Sequence, residues 1–107
     1  MMEAEIDILI LKEEFKDSEF SSNRLHGHSG LHPLSRAITR ILGIATENIN
    51  IGSLFLSIIL PEEKIEVTYR ITHEKCLEIY DMIIGEREPQ DITIHMSRRD
   101  WMQKNLE

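Results

Sequence analysis

Leu54-Phe55-Leu56-Ser57-Ile58-Ile59-Leu60-Pro61-Glu62-Glu63-Lys64-Ile65-Glu66-Val67-Thr68-Tyr69-Arg70-Ile71 is the stretch that decides the fold. Leu54 to Leu60 is an apolar, branched run suited to a strand. Ile65, Val67, Tyr69 and Ile71 then alternate with Glu66, Thr68 and Arg70, the period of two that sets one strand face on a core and the other in water. Pro61-Glu62-Glu63-Lys64 is a short polar turn between them, so the stretch predicts an antiparallel hairpin.

C-terminal to the hairpin, Thr72 can cap a helix in which Cys76, Ile79, Tyr80 and Ile83 form one apolar stripe before Gly85 ends it. Glu86 to Gln90 reads as a turn. Ile92, Ile94 and Met96 alternate with Thr93 and His95 as a last strand, followed by a tail with Arg98, Arg99 and Trp101. N-terminal to the hairpin, Pro33 suits the first turn of a helix whose apolar positions Leu34, Ile38, Ile41 and Leu42 run to a stop at Gly43. Ile6 to Leu11, aliphatic apart from Asp7, reads as a central strand, and Lys12 to Asn23 reads as a surface loop with Phe15 and Phe20 as its anchors.

The order β-α-β-β-α-β predicts an α+β, ferredoxin-like domain, an antiparallel sheet with two helices on one face. In that architecture Leu54 to Leu60 lies at a sheet edge. An edge strand with so few charges invites pairing, so a homodimer or a partner strand is expected. The chain has 107 residues, which predicts a single domain over residues 1–107.

Nineteen acidic against twelve basic residues leave a formal charge of -7, which argues against duplex DNA as a ligand and for a basic protein partner. Cys76 is the only cysteine and has no internal disulfide partner. The acidic N-terminus is unlike a signal peptide, and the apolar run Ile8 to Leu11 is too short to span a bilayer, so no membrane association and a cytoplasmic location are expected. No Walker loop, dinucleotide fingerprint or Ser/His/Asp order is present, and no cofactor is expected.

Function is expected in His26-Gly27-His28-Ser29-Gly30-Leu31-His32-Pro33, which gathers three of the five histidines and two of the five glycines just before a helix. Glycine lets backbone close around a ligand, and histidine moves protons, donates hydrogen bonds or binds metals near neutral pH. His26 and His28 share a side in extended backbone, and His32 or Asp17 could complete a metal shell, yet the spacing lacks the helical or CxxC register of a specific metal motif. No metal is therefore expected. A helix start flanked by Ser29 and Gly30, with Arg24, Arg36 and Arg40 adding charge, instead suits an anion such as a phosphate or nucleotide. Arg36 and Arg40, one helical turn apart, also read as surface arginines paired with nearby Glu.

From Asp7 to Gly52 the chain resembles, locally, the bacterial-type peptidyl-tRNA hydrolases. The residues that carry the resemblance are Ile8 to Leu11 followed by Glu13 and Glu14, then Arg24, Gly27-His28-Ser29-Gly30-Leu31, Leu42-Gly43 and Ile51-Gly52. The resemblance implies a polar Gly-His turn facing an RNA-linked or phosphate ligand. Ser29 stands where that family has an asparagine that helps hold the substrate, and the family's N-terminal segment with its catalytic histidine has no counterpart here.

Two functions remain. The first is a small acidic binding protein, such as an inhibitor, immunity-type or anti-defence regulator, that engages a larger partner or a phosphate-bearing ligand through His26 to His32, with Arg24, His28, Ser29, Gly30, Arg36 and Arg40 as contacts. The alternative is a small hydrolase or nucleotide-processing enzyme with His26 or His28 as general base. Acidity, small size and the lack of a complete catalytic set favour binding. His73 and His95 read as structural, and Tyr80 and Trp101 read equally as interface anchors or packed residues.

Overall fold

The hairpin forms where its alternation places it. In the computed structural model, which describes residues 2–18 and 31–106, β1 (Glu5–Ile10) is followed by a 3-10 turn over Lys12–Phe15. Then come α1 (Pro33–Leu42), β2 (Ile49–Ile51), β3 (Phe55–Leu60), β4 (Ile65–Arg70), α2 (His73–Ile84), β5 (Ile92–Arg98) and β6 (Lys104–Asn105). Among the described residues the six strands form one sheet in the order β1-β5-β4-β3-β2, with β6 on β4, and every pairing is antiparallel.

This confirms an α+β arrangement of an antiparallel sheet and two helices and corrects the ferredoxin-like order, in which the first strand would lie between the last strand and the hairpin. Here β1 is at the edge and β5 sits between β1 and β4. The reason lies in the two residues by which β5 outruns the expected Met96. Ser97 and Arg98 are the residues that pair with Arg70 and Tyr69. Around them the Arg98 amide donates to Ala4 O at 2.7 Å, the Arg99 amide to Thr68 O at 2.8 Å and the Arg98 guanidinium to Met2 O at 2.6 Å. These bonds fix the last strand between the N-terminus and the hairpin.

The expected bare edge at Leu54 to Leu60 is also corrected. β2 pairs Ile49, Asn50 and Ile51 with Ile58, Ser57 and Leu56, so the strand has a neighbour on both sides and the premise for a homodimer through that edge is gone. On β4, the pairing begun by Arg98 resumes at Lys104 and Asn105 after a 3-10 turn over Asp100–Met102.

One face of the sheet is apolar. Ile8 and Ile10, Ile49 and Ile51, Leu56 and Ile58, Ile65, Val67 and Tyr69, and Ile94 and Met96 point into a single core, which Leu34, Ala37 and Ile38 of α1 and Ile79 and Met82 of α2 complete. Each buried Val, Leu, Ile or Met among them contributes about 1.5–3 kcal/mol by leaving water. Both helices end as their glycines predict, with Gly43 at φ 72° and Gly85 at φ 88°, the left-handed region in which glycine carries no Cβ penalty. No helix among the described residues is long and apolar enough to cross a membrane.

Candidate functional site

α1 is held at its start by the chain that precedes the histidine-bearing stretch. The Arg36 guanidinium donates to Glu14 O at 2.8 Å, Lys16 O at 2.5 Å and Asp17 O at 3.3 Å, the carbonyls left over at the end of the 3-10 turn. The planar five-donor fork of arginine suits several carbonyls at once. The Arg36 amide donates to His32 O at 3.1 Å. Arg36 thus joins Asp17, which leads into residues 18–31, to His32, which follows them.

Arg40, one turn on, donates to Leu9 O at 2.6 Å and to both Glu14 carboxylate oxygens, at 2.8 and 3.3 Å. Glu14 in turn accepts from the Leu11 amide at 2.9 Å. The Glu14 carboxylate holds the Arg40 guanidinium above its usual pKa, chiefly through the hydrogen bond it accepts from Arg40. The two arginines of α1 therefore bind the end of β1 and its 3-10 turn to the helix. The reading of Arg40 as paired with a nearby Glu is the arrangement found.

His32 is the N-cap. Its Nδ1 accepts from the Leu34 amide at 3.1 Å, so the ring needs its proton on Nε2 while it caps. The side chain is 4% exposed, and burial, with Arg36 adding repulsion, pushes its pKa down to about 4. His32 is therefore neutral at pH 7. Pro33 has no amide proton, and the Leu34 and Arg36 amides are already bonded to His32, so several of the donors that an anion would use at this helix start are engaged within the protein.

Arg24, His26, His28, Ser29 and Gly30 lie outside the described residues. Of the expected site, the structure brings together His32, Arg36 and Arg40, with Asp17 at the Arg36 guanidinium. Among the described residues no group of three His, Cys, Asp or Glu side chains is placed to hold a metal.

Two other regions carry chemistry that sequence reading gave less weight. On the open face of the sheet His95 bridges two carboxylates of β1, with Nδ1 2.7 Å from Asp7 Oδ1 and Nε2 2.8 Å from Glu5 Oε1. Ser97 donates to the same Glu5 oxygen at 2.9 Å. The hydrogen bond to Asp7, then that to Glu5, raises the His95 pKa, and the histidine lowers that of Glu5. The signal was cross-strand register, since Asp7 stands opposite His95. The second region is the outer side of α2, where Leu77, Tyr80 and Ile84 are exposed and Cys76 Sγ bonds to Ser53 O. Helical spacing could have found it, because Leu77 and Ile84 fall outside the stripe of Cys76, Ile79 and Ile83.

No family model, curated protein or solved structure matches the chain.

Proposed function

We propose that the protein is a small acidic binding protein, of the inhibitor, immunity or anti-defence kind, that engages a larger basic partner through the segment His26 to His32. The observation that supports this reading is the meeting at Arg36. One residue of a packed helix bonds to Asp17 O through its side chain and to His32 O through its backbone, so the two residues that flank 18–31 are held at one point. A segment of this length with its ends held close is a recurrent carrier of binding residues, because a rigid base limits the ordering entropy lost on binding.

A protein partner is favoured over a phosphate-bearing ligand. Arg36 and Arg40 are engaged with carbonyl and carboxylate oxygens and His32 is neutral, so the described part of the site offers an anion little positive charge. The same consumption of arginines weighs against the hydrolase alternative, which needs them to hold its phosphate. Basic partners remain favoured by the formal charge of -7.

Affinity capture from cells with the tagged chain and with its His26→Ala/His28→Ala variant tests the proposal. A basic protein retained by the first and lost from the second, with both folded, supports it. Turnover of an RNA-linked or nucleotide substrate by the purified chain that the double substitution abolishes would replace it with the hydrolase reading.

A further inference from the structure

α2 carries more apolar surface than the sheet covers. Ile79 and Met82 are buried and Cys76 and Ile83 half-buried, whereas Leu77, Tyr80 and Ile84 are 49%, 40% and 48% exposed. Their spacing of three and four residues lines them up along about 10 Å of one helix face. At its N-terminal end this line opens into a groove of about 370 Å³ between α2 and the turn before β3, lined by Ser53, Leu54, His73, Cys76, Leu77 and Tyr80. That volume lies in the range, about 300–1,000 Å³, of pockets that take ligands.

The outer border of the line is acidic. Glu74 lies three residues before Leu77 and Asp81 four after it, on the neighbouring strip of the helix surface. Neither is ion-paired among the described residues. The basic side chains nearest in sequence, Lys75 and Arg87, are both drawn to Glu78, at 3.1 and 3.7 Å.

We propose that this face docks a basic amphipathic helix of another protein, its apolar side chains in the groove and along Leu77, Tyr80 and Ile84, its lysines or arginines against Glu74 and Asp81. Charge selects this occupant. A second copy pairing about a two-fold axis would bring Glu74 and Asp81 against the same residues, on a chain already at -7. A small molecule in the groove would leave the line toward Ile84 in water, whereas anchors three, four and seven residues apart on a helix match it along its length. The proposal is independent of the His26 to His32 segment.

The test is an amide-detected NMR titration of the full chain with two synthetic amphipathic helices of one pattern, one of leucine and lysine, the other of leucine and glutamate. The lysine peptide should shift the amides of residues 53–54 and 73–84 and bind at least about tenfold more tightly than the glutamate peptide. Leu77→Ser and Tyr80→Ser, both at exposed positions, should each weaken it about tenfold while the rest of the amide spectrum is unchanged. Glu74→Lys with Asp81→Lys should invert the preference between the peptides, and His26→Ala/His28→Ala should leave the titration as it was, which separates this proposal from the fate of the loop reading. Equal binding of the two peptides, shifts centred elsewhere, or indifference to Leu77→Ser would overturn it. So would self-association that Leu77→Ser abolishes, which would give the face to a second copy of the chain.

Discussion

α1 and α2 carry the same local signals, a capping residue in extended backbone before the first turn and a left-handed glycine after the last, yet the protein holds them differently. α1 buries Pro33, Leu34, Ser35, Ala37 and Ile38, and its polar flank is bound through Arg36 and Arg40 to the chain that precedes residues 18–31. α2 buries only Ile79 and Met82 and leaves an apolar line in water. Helix patterning reports which residues are apolar, while the topology of the sheet decides how many of them are covered. The difference also separates two roles. α1 is a fixed base for a segment, and α2 is itself a surface.

Core truncation should separate the two helices most. Ile38→Ala in α1 should cost about 3–5 kcal/mol and Ile79→Ala in α2 about 2 kcal/mol, since a cavity under a sparsely packed helix can relax, and urea denaturation of both variants would measure this. Equal costs would mean that the helices are anchored alike. Acid is the next probe. His32 has a pKa of about 4 in the folded protein against the ordinary histidine value of 6.5. Between those pH values the unfolded chain binds more protons, so stability falls as pH drops from about 6.5 toward about 4, by about 3 kcal/mol in full. His32→Asn keeps a capping side chain without the titration. The gap between urea midpoints at pH 7 and pH 4.5 should therefore be smaller in the variant, and an equal gap would show that the cap does not govern the acid response.

A smaller effect is expected for Arg36→Met, about 1–2 kcal/mol, because its charge-assisted bonds are partly solvated. Hydrogen exchange should quicken at residues 12–18 while α2 is unaffected. Unchanged exchange there would remove the clamp from the account. The smallest effect belongs to α2's outer face, where Leu77→Ser should alter stability by under about 0.5 kcal/mol in thermal unfolding. A loss as large as that of Ile79→Ala would show that this face is covered after all.

The local elements were legible in the sequence because their signals are local. Pro33 and Gly43 bound α1, Thr72 and Gly85 bound α2, and the alternation of Ile65, Val67 and Tyr69 marks the inward face of β4. Strand order was not legible. Both the ferredoxin-like order and the observed one pair the first strand antiparallel with the last and bury the same Ile8, Ile94 and Met96 positions, so hydrophobic pattern cannot choose between them. The choice is made by Ser97 and Arg98, polar residues whose backbone pairs with β4 and which carry no apolar mark. β2 was missed because Ile49-Asn50-Ile51 gives barely one period of alternation. Within the candidate site the chemistry of Arg36 was hidden for a different reason. An arginine that will bind three carbonyls of a distant turn looks in sequence like one that will bind a ligand.

The proposed binding element is His26 to His32, beside the flank that Arg36 holds at Asp17 and His32. Quantitative affinity capture can compare the wild-type chain with its His26→Ala/His28→Ala and Arg36→Met variants, each checked by thermal unfolding. The histidine variant should unfold within about 0.5 kcal/mol of wild type and lose the captured basic partner, and Arg36→Met should retain a reduced share. A histidine variant that keeps its fold and captures the partner at the wild-type yield would contradict that role for the segment.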